Sequence, residues 1–405
     1  MPFCCLTGGR LERMKARKII DGVLWMGSVD WDRRLFDSLI PLPEGTTYNS
    51  YLVRGSRATA LIDAVDPAKR HELMEQLDDV ERLDYLICLH AEQDHSGAIP
   101  DVLARYPEAK VLCSKKCAPM LWDLLRVPSE RITVVEDDEV LDLGDRTLRF
   151  IYAPWVHWPE TMLAYLAEDR ILFTCDFLGA HLAASELFSD GGPRELAAAK
   201  RYYAEIMMPF ASTIVRHLDK IEALDIETVC PSHGPVWTNP SAIIQCYRQW
   251  TSGPTANRVC LPFVTMHGST LLLVDRLVDA LVQRGVGVDR FELTSVDLGL
   301  LAMSLIDCAT VVIAAPTVLG GIHPAAAYAA FVANALRPRT RFVSAVTSYG
   351  WAGRAIDQLT SMLGNLSAQV LDPVVVKGLP GPDDYKAIDD LAERIAAAHR
   401  EAGIA

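Results

Sequence analysis

No Cys-x2-Cys pair occurs anywhere in the 405 residues, although the chain holds ten cysteines. That absence excludes an appended rubredoxin-type or zinc-ribbon module, whose metal needs thiols paired at that spacing. The cysteines are scattered instead. Cys88, Cys175 and Cys260 lie inside apolar strand-like runs, the usual setting of reduced, buried thiols. Cys113 and Cys117 read as turn-spaced, partly buried thiols rather than metal ligands. No apolar run approaches the roughly 20 residues that a membrane-spanning helix needs. Residues 1–18 carry Arg10, Arg13, Lys15, Arg17 and Lys18 and no continuous apolar stretch, so a disordered extension of a cytoplasmic protein is expected there rather than a signal peptide. Positive charge is scarce. Lys and Arg number 39 against 52 Asp and Glu, a net charge of -13 that argues against a nucleic-acid partner. Internal repeats and low-complexity segments are absent too.

What is present is enough chain for two cores. The clearest seam is the stretch WTSGPTAN, residues 250–257, where Ser252, Gly253 and Pro254 supply linker chemistry. It separates a first domain, 19–250, from a second, 255–405. The second alternates regularly. Strands are predicted over 258–264, 288–293, 309–315, 341–346 and 368–376, and helices over 270–284, 297–305, 324–336, 353–364 and 385–401. Strand–helix alternation predicts a doubly wound five-stranded parallel sheet of flavodoxin-like type, with ligand loops at the carboxyl ends of the strands.

The first domain places its polar residues at the ends of apolar runs. DYLICL runs into His90, TLRFIYAP precedes His157, ILFTC runs into Asp176, and ETVC precedes His233. The densest cluster is His90-Ala-Glu92-Gln-Asp94-His95, with four potential ligands in six residues directly after a strand. Burying that much charge beside apolar chain is costly without a cation, so a metal site is expected. Glu92 and Asp94 put two carboxylates beside the two imidazoles. A carboxylate there makes the site harder and shifts its preference toward iron or manganese.

These motifs resemble the H-x-H-x-D-H signature of the metallo-β-lactamase fold, with Glu92 as the one departure. Residues 22–53, together with HWPETM (157–162), CDFLGAH (175–181) and SHGPVW (232–237), look like the flavodiiron, or A-type flavoprotein, family. The resemblance covers nearly all of the chain after residue 18. It implies an αββα metallo-β-lactamase-like sandwich joined to the flavodoxin-like domain. One iron would take His90, Glu92 and His157, the other Asp94, His95 and His233, with Asp176 bridging both. His95 is the position where the family sometimes substitutes water. His181, five residues beyond the bridging Asp, is expected to line the substrate pocket or to support it. Tyr202 and Tyr203 match a family YYA motif and are candidates to donate a hydrogen bond to substrate. Trp158 and Pro159 shape the turn that aims His157. His71, His217 and His399 are expected to be exposed and inert, and residues 136–139 a solvated acidic turn.

Three loops of the second domain point to a flavin. Thr265-Met266-His267-Gly268-Ser269-Thr270 resembles the flavodoxin phosphate loop, where amides and hydroxyls at a helix start bind a dianion without arginine. Pro316-Thr317-Val318-Leu319-Gly320-Gly321 and Ser348-Tyr349-Gly350-Trp351-Ala352-Gly353 follow the next strands, where the ring of FMN should lie. The resemblance implies a di-iron and FMN enzyme reducing dioxygen, nitric oxide or both. It implies a head-to-tail homodimer, or a homotetramer built from such dimers, fed by a rubredoxin-like protein or a reduced deazaflavin. The alternative is a zinc-dependent hydrolase of the same fold with an accessory flavodoxin domain.

Overall fold

The structure is a computed structural model and describes residues 15–351, 353–363 and 366–404. The chain divides into two compact units. The first holds residues up to 34, then 42–199 and 216–244; the second holds 35–41, 200–215 and 245 onward. Two short segments, 35–41 and 200–215, therefore group with the second unit although they lie far from it in sequence. Neither carries a local signal of that membership. The first 14 residues of the expected extension lie outside the described residues. Its last two, Arg17 and Lys18, are already in the first strand, Arg17–Ile20, paired with Val23–Trp25.

The first unit contains two seven-stranded sheets. One runs, in spatial order, Arg17–Ile20, Val23–Trp25, Tyr51–Arg54, Thr59–Ile62, Tyr85–Cys88, Lys110–Ser114 and Ile132–Val135. The other runs Val140–Asp142, Thr147–Tyr152, Met162–Leu166, Ile171–Cys175, Thr228–Pro231, Val236–Trp237 and Phe188–Ser189. Side chains of both sheets share one core, with Val53, Ile62 and Ile87 from the first and Phe150, Ala164 and Phe173 from the second. The central strands Met162–Leu166 and Ile171–Cys175 are buried at every position, which is why they read as unbroken apolar runs rather than as alternation. Parallel pairing sets the site. Thr59–Ile62 runs parallel to Tyr85–Cys88, so Asp63 and His90 leave the first sheet at the same edge. Ile171–Cys175 runs parallel to Thr228–Pro231, so Asp176 and His233 leave the second sheet together.

The second unit carries a parallel sheet in the order Gly287–Glu292, Ala256–Phe263, Cys308–Val318, Phe342–Tyr349, then Gln369–Val370 and Val374–Lys377, both of which pair with Phe342–Tyr349. This is the doubly wound order expected, with the first strand inside the sheet. Two details differ from the sequence reading. The fifth strand, expected over 368–376, is split in two, because Pro373 has no N–H to offer the ladder. The third and fourth strands run on to Val318 and Tyr349, carrying their loops further out. No described helix is long and apolar enough to cross a membrane.

Candidate functional site

Seven side chains converge in the first unit. His90 Nε2 lies 3.0 Å from Glu92 Oε2 and 3.4 Å from Asp176 Oδ2. His157 Nε2 lies 3.2 Å from the same Glu92 oxygen and 3.4 Å from the same Asp176 oxygen. The other Asp176 oxygen, Oδ1, faces His95 Nε2 at 3.1 Å and His233 Nε2 at 3.4 Å. Asp94 closes that second group, with Oδ2 at 3.1 Å from His233 and Oδ1 at 3.3 Å from His95. All seven residues expected as ligands are thus brought together, in two groups that meet at the two oxygens of one carboxylate. His95 points inward. Glu92 and His157 keep 14% and 16% of their side chains exposed while the other five are nearly or fully buried, so the first group faces the way in.

The donor set itself tests whether metal ions fit. Burial pushes each imidazole toward neutrality, yet the facing carboxylates pull His157 up to about 9 and His233 up to about 10. Burial pushes Asp176 and Glu92 upward, yet the facing imidazoles hold both below the usual carboxylate range. Every pair thus demands positive charge between its members. Both oxygens of Asp94, and Nε2 of His95, are buried and meet polar atoms within this cluster, at 3.1–3.3 Å. Two cations, one per group, meet these demands without protonating any ligand.

The ring nitrogens that turn away from the cluster are also fixed. His90 Nδ1 donates to Glu160 Oε1 at 2.7 Å, and the Ala91 amide donates to the same oxygen at 3.0 Å. His233 Nδ1 donates to the Thr47 carbonyl at 2.6 Å. The Trp158 ring meets His90 edge to face, with centroids 4.9 Å apart. His181 stacks obliquely on His233 at 4.8 Å and bonds Thr46 Oγ1 through Nδ1 at 2.9 Å, while burial holds it well below the usual histidine range. Asp63 accepts the Leu89 amide at 2.8 Å, fixing the strand end that presents His90, and burial raises its carboxyl to about 7. Glu160 and Asp63 are not apparent as site residues in the sequence. Glu160 sits inside the HWPETM stretch, and Asp63 at a strand end like those of the ligands, which is the signal that marks them.

Tyr202 is buried at the end of the helix Pro193–Tyr202, in the second compact unit. Tyr203 donates its hydroxyl to the Trp250 carbonyl at 3.3 Å. Two expectations fail. His217 and His399 are buried rather than exposed: His217 Nε2 meets the Pro154 carbonyl at 3.0 Å, and His399 bridges Thr310 and Asn257. Each completes hydrogen bonds inside the fold that helix periodicity alone does not reveal. His71 is exposed, and residues 136–139 form an exposed turn.

In the second unit, a crevice of about 340 Å³ opens at the carboxyl ends of the strands. Thr265, Met266, His267, Ser269, Thr270, Pro316, Thr317, Ser348, Tyr349, Gly350 and Trp351 line it, as expected, and Gly378 joins them from the strand end after Lys377. Gly268 caps the helix Ser269–Val282 at φ 89°, with open space where a Cβ would stand, and its amide donates to Thr265 Oγ1. Thr270 and Ser348 join their hydroxyls at 2.9 Å across the floor. Hydroxyls and amides at the start of a helix, with no cation among the lining residues, fit the phosphate of a flavin mononucleotide. Val318, Leu319, Gly320 and Gly321 do not line the crevice. They form the tight hairpin that pairs Cys308–Val318 with Gly321–Ile322, with Leu319 almost fully exposed. Gly353 backs the Tyr349 ring, and Ala352 lies outside the described residues.

Residues 46–234 match the family model of the ODP family beta lactamase. The chain is 34% identical over 394 residues to a nitric oxide reductase of Moorella thermoacetica, covering 94% of this chain and 98% of that one. Among solved structures it is similar to the rubredoxin oxygen:oxidoreductase of Desulfovibrio gigas, with a TM-score of 0.92 at 29% identity over 96% of this chain and 100% of that one. It is also similar to the flavodiiron protein of Giardia intestinalis, with a TM-score of 0.87 at 26% identity over 97% of this chain and 99% of that one.

Proposed function

The chain belongs to the flavodiiron, or type A flavoprotein, family, and we propose on that premise that it is an oxidoreductase reducing dioxygen to water, nitric oxide to nitrous oxide, or both. The observation that carries this reading is the convergence of two ligand groups on opposite oxygens of Asp176. His90, Glu92 and His157 would hold one iron, and Asp94, His95 and His233 the other. The loops at Thr265–Thr270, Pro316–Thr317 and Ser348–Trp351 would hold FMN. When bound, these groups together supply up to four electrons, the number that takes dioxygen to two waters, while two suffice to join two nitric oxides.

The chain's own residues do the positioning. Asp176 fixes the separation of the two ligand groups by offering one oxygen to each. Glu92 and His157 form the accessible rim, so a small diatomic substrate enters on their side. His181 stands beside His233, where it would line the substrate pocket or support it. Tyr203 donates its hydroxyl to the Trp250 carbonyl. In the crevice, Tyr349 and Trp351 would flank the ring of a bound flavin, and Ser269 and Thr270 would hold its phosphate.

A rubredoxin-like carrier or a reduced deazaflavin is the proposed electron donor, and a head-to-tail homodimer, or a homotetramer of such dimers, the working assembly. The eight described cysteines are all free thiols, in keeping with a cytoplasmic setting. The test is metal and flavin analysis of protein purified without added metal, followed by anaerobic assays with each gas. About two irons and one FMN per chain, with reductase turnover, are expected. Zinc in the site, with no turnover after iron loading, would replace this reading with the hydrolase.

A further inference from the structure

The two ligand groups are alike in composition but not in what stands behind them. On the His90 side, the outward ring nitrogen donates to a buried carboxylate, Glu160 Oε1, at 2.7 Å. On the His233 side, the corresponding nitrogen donates to a neutral backbone carbonyl, Thr47 O, at 2.6 Å. The Glu160 side chain has no solvent exposure. Its Oε1 accepts a second bond from the Ala91 amide at 3.0 Å, while its Oε2 is buried with no hydrogen-bond donor. The negative charge is therefore offset through Oε1 alone, chiefly by the His90 ring. Its backbone is pinned as well, since the Ser114 hydroxyl donates to the Glu160 carbonyl at 2.6 Å. Asp63, a further buried carboxyl behind the cluster, serves a backbone amide, Leu89 N, and does not touch a ligand ring through any bond of that length.

A carboxylate that takes a proton-bearing ring nitrogen makes the opposite nitrogen a stronger donor and fixes its tautomer. A stronger donor favours the more highly charged state of whatever cation it holds. Resting on the di-iron reading above, we propose that Glu160 is a positioning residue that makes the two metal positions unequal, so that the ion held by His90, Glu92 and His157 is the harder to reduce. The group of Asp94, His95 and His233 would then hold the ion that is reduced first, and the more accessible group of His90, Glu92 and His157 the ion reduced second.

The experiment is a redox titration of the iron-loaded, FMN-loaded protein, followed by electron paramagnetic resonance and Mössbauer spectroscopy, on wild type, Glu160→Gln and Glu160→Asp. Wild type is expected to show two separate iron steps with two distinguishable iron environments. Glu160→Gln keeps the shape and loses the charge, so its lower step moves up toward the other. Its iron is also held about 10–100-fold less tightly in competition with a chelator, and is lost from one position first. Glu160→Asp restores the charge and with it the separation of the steps. Unchanged steps and unchanged chelator competition in a Glu160→Gln protein that melts like wild type would overturn the inference. If Glu160→Gln does not fold, wild type decides alone: both irons reduced in a single step would equally overturn it. Zinc or no metal in wild type would instead defeat the di-iron reading, a different outcome from two irons indifferent to Glu160.

Discussion

At the scale of single residues, Asp176 is the position on which both ligand groups depend, because each of its oxygens faces two imidazoles. Asp176→Asn keeps the volume and removes the charge that both cations would share. Loss of iron is expected to exceed the roughly 10–100-fold weakening that removal of an outer hydrogen-bond partner brings, and to affect both positions together. Iron per chain after gel filtration checks this; one firmly held iron in the variant would mean that Asp176 does not bridge. The ligands were legible because His90, Glu92, Asp94 and His95 crowd one turn of chain, and because His157, Asp176 and His233 each follow an apolar run. Glu160 and the Thr47 carbonyl were not. Their roles arise from contacts across 70 and 186 residues of sequence, and only Glu160's place inside the HWPETM stretch hints at one of them.

At the scale of elements, the C-terminal helix Pro382–Glu401 is tied to the sheet of the second unit through His399. Its Nε2 accepts from Thr310 Oγ1 at 2.6 Å and its Nδ1 donates to Asn257 Oδ1 at 2.7 Å. Burial lowers the histidine below its ordinary value. A depressed folded value means that the neutral ring contributes stability above the unfolded value near 6.5, and that this is lost as pH falls through the folded value. His399→Leu leaves both partners short of a bond. It is expected to cost about 1–3 kcal/mol at neutral pH and to remove that part of the acid-side slope. Melting temperature from pH 5 to 8 reads both effects. The same helix periodicity that predicted this element made His399 look exposed, since a buried polar bridge and a solvated residue share one spacing.

Glu205, in the π-helical turn Tyr203–Met207, behaves oppositely. Burial raises its carboxyl to about 8 although Arg201 Nη1 lies 3.3 Å away, because Arg201 is already bound bidentately by Asp297 at 2.9 and 2.6 Å. A raised folded value means that stability is fully present below the unfolded value near 4.3 and is lost as pH rises through about 8. Glu205→Gln is therefore expected to gain on wild type at pH 9 relative to pH 5, read by the same melts. A constant difference across that range would show that the carboxyl titrates normally. The helix around it was legible only in part. A YYA motif marks the segment, but nothing in it announces a widened turn or membership of the second unit.

At the scale of the whole molecule, each group of proposed cofactor ligands lies within one compact unit: the seven metal-facing residues in the first, the crevice-lining residues in the second. The boundary between the units falls at 244/245, within the helix Pro240–Ser252 and ahead of the sequence seam at 250–257, and the membership of 35–41 and 200–215 comes from long-range packing. A ligand that binds only the folded form of one unit stabilises that unit by mass action, by about 2.7 kcal/mol at a hundred times its dissociation constant. For units of this size that corresponds to roughly 5–10 °C in melting temperature. Calorimetry of protein stripped of metal and flavin should therefore show two transitions. Adding FMN should move one, adding ferrous iron under anaerobic conditions the other, and Asp176→Asn should abolish only the second shift. If either ligand alone moves the entire endotherm, the two units unfold as one, and the stability of each cofactor site is set by the whole chain rather than by the unit that carries its ligands.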